Sequence, residues 1–216
     1  MKKDLTELVF ILDRSGSMSG LETDTIGGYN GLLARQRALP GDVTVTTVLF
    51  DDKYELLHDR IDIKGVAPIT DKDYYVRGCT ALLDAVGRTI LKVDNALRHT
   101  AEEMRPEHVM FVITTDGYEN ASREFGLAKV KSLVEARQKA GWEFLFLGAN
   151  IDAIETAASF GISGDRATNY CPDSQGTAKA YGAIDAAVCA MRMPSAAPRS
   201  RSFWKRDVEA DHNRRG

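Results

Sequence analysis

The stretch LVFILDRSGSM, residues 8–18, decides the fold class because it joins a buried strand to a loop of hydroxyl side chains. Its first five residues form a continuous apolar run, which is typical of a strand buried on both faces of a parallel sheet. The run ends abruptly at Asp13, and Ser15 and Ser17 follow at alternate positions. Since alternate side chains of a loop can converge on one point, this segment is the first candidate for a ligand site.

The rest of the chain alternates strand and helix patterns. A second continuous apolar run, VMFVI at residues 109–113, also stops at polar residues, Thr114, Thr115 and Asp116. Short links between alternating elements predict an α/β fold with a doubly wound, mostly parallel central sheet and helices on both faces. The segment 54–63 can pair back on the strand before it and is predicted to be an antiparallel edge strand. Further strands are predicted at 43–50, 142–147 and 167–170, and helices at 21–39, 80–101, 125–140, 151–160 and 175–191.

Length and composition predict one globular domain followed by a short tail. The chain has 216 residues, of which 44% are hydrophobic and 27% are charged, and this is enough for one sizeable core. We expect a single domain at 1–193. The remainder, 194–216, is rich in Ser, Pro and Arg without a periodic apolar face, and it is predicted to be a flexible basic tail.

Charge, apolar runs and cysteine content argue against several classes of partner and indicate a location. A net charge of -3 offers no general attraction to phosphate backbones, so no nucleic-acid partner is expected. No run reaches the roughly 18 apolar residues of a membrane span, and the first apolar segment is too short for a signal peptide, so no membrane association is expected. The cysteines are widely spaced and include no CxxC pair, which is typical of reduced thiols. Together these features predict a cytoplasmic protein.

Oxygen donors collect at the predicted carboxyl edge of the sheet. Asp13 and Asp116 each lie after a buried strand, and open parallel sheets bind their ligands outside the carboxyl ends of the strands. Ser15 and Ser17 lie in the loop after Asp13, and Thr80 can add a hydroxyl from a third loop. Carboxylates and hydroxyls suit Mg²⁺ or Mn²⁺ rather than zinc. The sequence therefore predicts a divalent metal site at this edge.

The same residues resemble the metal-ion-dependent adhesion site of von Willebrand factor type A domains. The apolar strands before the two aspartates also resemble that family in order and spacing, and the resemblance covers about residues 7–170. The matching positions are Asp13-x-Ser15-x-Ser17, Thr80 and Thr115-Asp116-Gly117.

The resemblance implies a role for each residue of the site. Ser15, Ser17 and Thr80 would bind the ion through their hydroxyls, and Asp13 and Asp116 would contact it directly or through water. It also implies a protein-binding module that is not an enzyme, in which the ion accepts a Glu or Asp carboxylate of a partner protein. The missing export signal favours a bacterial-type intracellular member of the family. Partner specificity is then expected from the loops at 18–25, 74–77 and 118–123.

Two alternative interpretations stay open at this point. Taken one at a time, the serines, Thr80 and Asp116 are also common helix-cap or turn residues. The alternative function is a Mg-dependent phosphohydrolase of doubly wound fold with Asp13 as nucleophile. An enzyme that resembles the haloacid dehalogenase family would need a second Asp as acid/base at position 15, where the chain has Ser15. The sequence also lacks a GxxxxGKS/T phosphate loop and a GxSxG elbow. Surface or capping roles are expected for Asp24, Asp51, Asp52 and Asp84, and surface positions for His58, His99, His108 and His212.

Overall fold

The computed structural model describes residues 1–193 and 200–215. In this part of the chain, strands and α-helices alternate from the first strand to the fifth helix, apart from the hairpin of the second and third strands. The strands are β1 (Lys2–Asp13), β2 (Asp42–Phe50), β3 (Tyr54–Asp62), β4 (Pro106–Thr115), β5 (Glu143–Gly148) and β6 (Ala167–Asn169). The helices are α1 (Glu22–Arg37), α2 (Leu82–Arg98), α3 (Leu127–Lys139), α4 (Ala153–Ser159), α5 (Ser174–Arg192) and α6 (Arg206–Arg215).

The strands form one sheet in the order β3-β2-β1-β4-β5-β6. All neighbouring strands are parallel except β2 and β3, which pair antiparallel at one edge. These features confirm the predicted fold class, and each predicted strand and helix is present. The chain continues from β1 to β2 on one side and returns to β4 on the other, so the topological switch point lies between β1 and β4. Leu12 pairs with Thr114 there, and the two strands therefore end side by side.

The continuous apolar run of β1 is explained by burial on both faces of the sheet. Leu8, Phe10 and Leu12 pack in the core beneath α1 and α5, whereas Val9 and Ile11 pack beneath α2, α3 and α4. Successive side chains of a strand point to opposite faces, so a strand between two helical layers has no solvent-facing position to make polar.

None of the helices in the described part of the chain combines the length and apolar character needed to cross a bilayer.

The described residues of the C-terminal segment pack against the domain. The prediction of a flexible tail is therefore wrong for residues 203–215. A short 3₁₀ turn and α6 follow one another there, with Trp204 and Val208 buried against the core. The Trp204 indole donates to the Asp165 carbonyl at 3.0 Å, and Lys205 Nζ donates to the carbonyl of Ala167 in β6 at 2.9 Å. The segment thus covers the outer edge of β6, which would otherwise be open for pairing. The domain extends beyond the predicted boundary at 193, while 194–199 and 216 of the expected tail lie outside the described residues.

Candidate metal centre

Asp13 is the buried anchor of the site at the end of β1. Its carboxylate is fully buried, and each of its oxygens accepts a hydrogen bond. The backbone N–H of Ser15 donates to Oδ1 at 2.7 Å, and the Thr115 hydroxyl of β4 donates to Oδ2 at 2.6 Å. Burial raises the pKa of Asp13 above its ordinary value, and these hydrogen bonds oppose the shift. Asp13 therefore ties the ends of the two central strands together.

Three hydroxyl groups from two loops meet beside Asp13. Ser15 Oγ lies 3.1 Å from Ser17 Oγ, and the Thr80 hydroxyl donates to Ser15 Oγ at 2.9 Å. Ser15 and Thr80 are buried, whereas Ser17 is exposed, so the cluster opens to solvent on the Ser17 side. A Cβ atom at Gly117 would lie 2.9 Å from both Ser17 Oγ and Thr80 Oγ1. The chain after β4 thus closes over the hydroxyls so tightly that any other residue at position 117 would require a neighbouring group to move.

Asp116 brings the second carboxylate to the same edge. It is 3% exposed, and its Oδ1 accepts a hydrogen bond from Asn150 Nδ2 at 2.6 Å. Burial raises the pKa of Asp116 to about 6, and the negative charge of nearby Asp13 adds to the shift. Asn150 has a φ of 52°, in the left-handed region that asparagine tolerates better than most residues. Asn150 is not among the predicted site residues, although a polar residue two positions after a strongly apolar strand was a usable signal.

A buried ion-pair network fixes the loop that carries the serines. Arg14 is fully buried, and its guanidinium donates to Asp51 Oδ2 at 3.1 Å and to Glu55 Oε2 at 2.6 Å. Arg77 donates to the same Asp51 oxygen at 2.6 Å. A surface or capping role is expected for Asp51. Its carboxylate does cap the turn after β2, since Oδ1 accepts the Lys53 N–H at 2.7 Å, but it is fully buried between two arginines instead of lying at the surface. The network connects the first loop to the chain segment before Thr80.

Glu119 and Asn120, which follow Asp116 in the chain, position Thr80 and the start of α2. Asn120 Oδ1 accepts from the Thr80 backbone N–H at 2.9 Å, and its own N–H donates to the Thr80 carbonyl at 3.0 Å. The Glu119 carboxylate accepts from the Leu83 N–H at 2.8 Å, in the first turn of α2. Both side chains are engaged with backbone and therefore support the site instead of facing it.

Two other expectations for the polar residues have mixed outcomes. Asp84 caps the chain as expected, since its carboxylate accepts the backbone N–H groups of Arg123, Glu124 and Phe125, but it is buried rather than exposed. His58 is also buried, with Nδ1 at 3.0 Å from the Thr47 hydroxyl, so its expected surface position is wrong.

The residues brought together fit a hard divalent cation. All five predicted residues, Asp13, Ser15, Ser17, Thr80 and Asp116, gather at the switch point, and each offers oxygen. Within the described ranges, no three His, Cys, Asp or Glu side chains form a metal-binding group. The site therefore depends on hydroxyl oxygens as much as on carboxylates, which favours Mg²⁺ or Mn²⁺. The role of these residues as metal ligands stays a prediction.

Solved structures of other proteins resemble this chain in fold, whereas comparisons of sequence find no match. No protein family model and no curated protein matches the chain. Proximal thread matrix protein 1 from the mussel byssus, with a zinc-occupied MIDAS motif, matches with 14% identity and a TM-score of 0.59 over 85% of this chain and 46% of that chain. The chain thus spans about half of the mussel protein.

Two further solved structures match over most of the chain. Manganese-loaded Plasmodium vivax TRAP protein shows 18% identity and a TM-score of 0.57, over 82% of this chain and 72% of that one. The vWF domain of the type V pili tip protein Mfa5 from Porphyromonas gingivalis shows 9% identity and a TM-score of 0.58, over 89% and 98%. At these identities the likeness concerns the fold.

Proposed function

From the von Willebrand factor type A fold that the chain shares with these structures, we propose that it is a metal-dependent protein-binding module. Mg²⁺ or Mn²⁺ would be held by Asp13, Ser15, Ser17, Thr80 and Asp116, and a Glu or Asp carboxylate of a partner protein would bind to the ion. The observation that carries the proposal is the convergence of three hydroxyls and two carboxylates at the switch point of the sheet. The zinc and manganese in the mussel and Plasmodium structures are consistent with a divalent ion at this place in the fold.

The donor set explains why such a site suits binding. An ion surrounded mainly by neutral hydroxyls keeps most of its positive charge and can accept a further carboxylate. The exposed side chain of Ser17 leaves this face open to a partner. Two exposed tyrosines, Tyr75 and Tyr118, lie in the loops predicted to give specificity and are 43% and 63% exposed. Exposed aromatic residues are frequent anchors of protein interfaces.

The geometry favours binding over catalysis as the proposed activity. Asp13, the nucleophile of the alternative hydrolase, is fully buried and holds both of its oxygens in hydrogen bonds. Ser15, where an acid/base carboxylate would be required, shares its hydroxyl with Ser17 and Thr80. The proposal places the module in the cytoplasm, and the free Cys79, Cys171 and Cys189 are consistent with a reducing compartment.

Metal binding is tested first, on the purified chain. Mg²⁺ or Mn²⁺ should raise the melting temperature, because a ligand that binds only the folded state stabilises it. Asp13→Ala should abolish the increase. Glu103→Ala, which removes an exposed carboxylate before the start of β4, at the opposite end of that strand from the site, should leave it unchanged. An equal increase in both variants would refute the metal site.

Partner binding is tested by capture with Mg²⁺ and with a chelator. A protein retained by wild type and by Glu103→Ala, but lost with the chelator and with Asp13→Ala, supports the carboxylate bridge. Retention by Asp13→Ala contradicts it. Metal-dependent phosphate release from generic phosphoesters, lost in Asp13→Ala, would instead establish the hydrolase.

A further inference from the structure

Asp51 lies between the two loops that carry the hydroxyl groups of the candidate metal site, the serine loop (residues 14–19) and the threonine loop (residues 73–81). Its carboxylate is fully buried. Oδ2 accepts hydrogen bonds from Arg14 in the first loop and from Arg77 in the second, at 3.1 and 2.6 Å. A single carboxylate oxygen therefore joins the two loops.

The main chains of the two loops are also joined beside this ion pair. The Arg77 N–H donates to the Arg14 carbonyl at 2.9 Å, and the Gly16 N–H donates to the Gly78 carbonyl at 3.2 Å. These two hydrogen bonds hold the backbones of the loops side by side. They therefore set the spacing between the hydroxyl groups that the loops carry.

Asp51 is itself fixed relative to the sheet, because it directly follows the last residue of β2. Its Oδ1 accepts the Lys53 N–H at 2.7 Å, in the turn between β2 and β3. Its carbonyl accepts the Ala81 N–H at 2.9 Å, directly after Thr80. The carboxylate can therefore serve as a fixed reference point for both loops.

Stability alone does not account for a buried ion pair at this position. Removing a guanidinium and a carboxylate from water costs free energy that can exceed the gain from their attraction, and apolar replacements are often neutral or stabilising. Such a pair does provide a defined geometry, because a planar guanidinium donates in fixed directions. Besides binding Asp51, Arg14 donates to Glu55 Oε2 at 2.6 Å and to the Asp73 carbonyl at 3.4 Å. The network therefore indicates a role in positioning.

We propose that Asp51 is a positioning residue of the metal site, which holds the serine loop and the threonine loop at the spacing for a divalent ion before the ion binds. The inference rests on the proposed function and adds to it a residue that does not coordinate the ion. Asp51 acts through Arg14 and Arg77. All of these contacts join protein groups, so they need no metal to form.

The test measures Mg²⁺ and Mn²⁺ affinity by isothermal titration calorimetry on the folded full chain. Asp51→Asn keeps the size of the side chain but removes its charge. It should weaken metal affinity about 10- to 100-fold, the usual effect of losing a residue that positions metal ligands. Arg77→Gln should cause a smaller loss. Because the Arg77 side chain is 35% exposed, this second variant decides the question if Asp51→Asn does not fold.

Glu7→Gln is the matched control, since it also converts a buried carboxylate with an arginine partner into an amide. Glu7 is fully buried, and its Oε2 accepts a hydrogen bond from Arg60 Nε at 2.9 Å. It lies in β1 well before Asp13, about 20 Å away along the strand. Glu7→Gln should lower stability, as Asp51→Asn does, but should leave metal affinity at the wild-type value.

Amide hydrogen exchange in a chelator provides a readout that needs no metal. The Gly16 and Arg77 amides, which join the two loops, should be protected in wild type. Asp51→Asn should speed their exchange by about tenfold or more, because the loops then open locally. Glu7→Gln should leave their exchange unchanged.

An affinity equal to that of wild type in both Asp51→Asn and Arg77→Gln overturns the inference, and so does an equal loss in Glu7→Gln. Unchanged exchange of the loop amides in Asp51→Asn overturns it as well. In each of these cases the proposed function stands if wild type binds metal and Asp13→Ala does not. Absence of metal binding by wild type refutes the proposed function, and the inference with it.

Discussion

Replacing Gly117 by alanine is the smallest change that tests the hydroxyl part of the metal site. The added Cβ would lie 2.9 Å from Ser17 Oγ and from Thr80 Oγ1, whereas ordinary van der Waals contact begins at 3.4 Å. At least one hydroxyl, or the Gly117 backbone, must therefore move by several tenths of an ångström. Gly117 is not among the glycines with positive φ, so alanine meets no backbone strain there.

The two consequences of Gly117→Ala differ in size. Substituting residues that position the ligands of a metal ion typically weakens affinity about 10- to 100-fold, and we expect a loss in this range for Mg²⁺ and Mn²⁺. Crowding costs the folded state about 1–3 kcal/mol. Alanine also lowers the conformational entropy of the unfolded chain, which offsets about 0.4–1 kcal/mol of this destabilisation. Isothermal titration calorimetry measures the affinity, and thermal unfolding in a chelator measures the stability.

Gly182→Ala is the control for Gly117→Ala. Gly182 lies in α5 with no atom within 4 Å of the position that an alanine methyl group would take, so alanine fits without a shift. The control should keep the affinity of wild type for metal and be more stable by up to about 1 kcal/mol, because alanine favours the helix. If Gly117→Ala binds metal as wild type does, the prediction that close contact with Gly117 holds the Ser17 and Thr80 hydroxyls in place for the metal is wrong.

Three further substitutions test other parts of the molecule. Asn150→Ala removes the hydrogen bond to Asp116 and should weaken metal affinity about 10- to 100-fold in the same titration. It should also lower stability in chelator by about 1–3 kcal/mol, because a buried carboxylate loses its donor and alanine must adopt a positive φ. Trp204→Ala should lower the free energy of unfolding by about 3–5 kcal/mol in chemical denaturation, because the indole is buried; an unchanged value would mean that the C-terminal segment is not part of the core. Burial lowers the pKa of His58 below its ordinary value of 6.5, so the unfolded chain takes up a proton that the folded chain does not, and stability should fall as the pH decreases below 6.5. His58→Gln should reduce this fall, and an unaltered pH profile would contradict the assignment.

The fold could be predicted because its signals are local. The continuous apolar runs around Phe10 and Phe111 require burial on both faces, and only a sheet between two helical layers supplies it. The meeting of the five site residues could also be predicted, because they lie in loops that the predicted strands bring to one edge of the sheet. These arguments need no knowledge of which side chains are in contact.

The missed features depend on contacts between distant residues. Asp51 follows a strand at an apparent turn, and its burial is understandable only with Arg14, 37 residues away, beside it. Asn150 and Asp116 are likewise separated by 34 residues. The segment around α6 is mostly polar, and its apolar contacts with the core come from Phe203 and Trp204 before the helix and Val208 within it. This hydrophobic pattern is too sparse to distinguish the segment from a tail.

The placement of the arginines is the strongest electrostatic argument for a cation at the site. Asp13 and Asp116 are both buried, yet neither forms an ion pair with any residue that the structure describes. Arg14, the neighbour of Asp13 in sequence, is directed away from it, toward Asp51 and Glu55. Buried carboxylates without a cationic partner are costly and are usually found protonated or bound to metal. A divalent ion would supply the missing positive charge, which hydroxyl and amide donors alone do not provide.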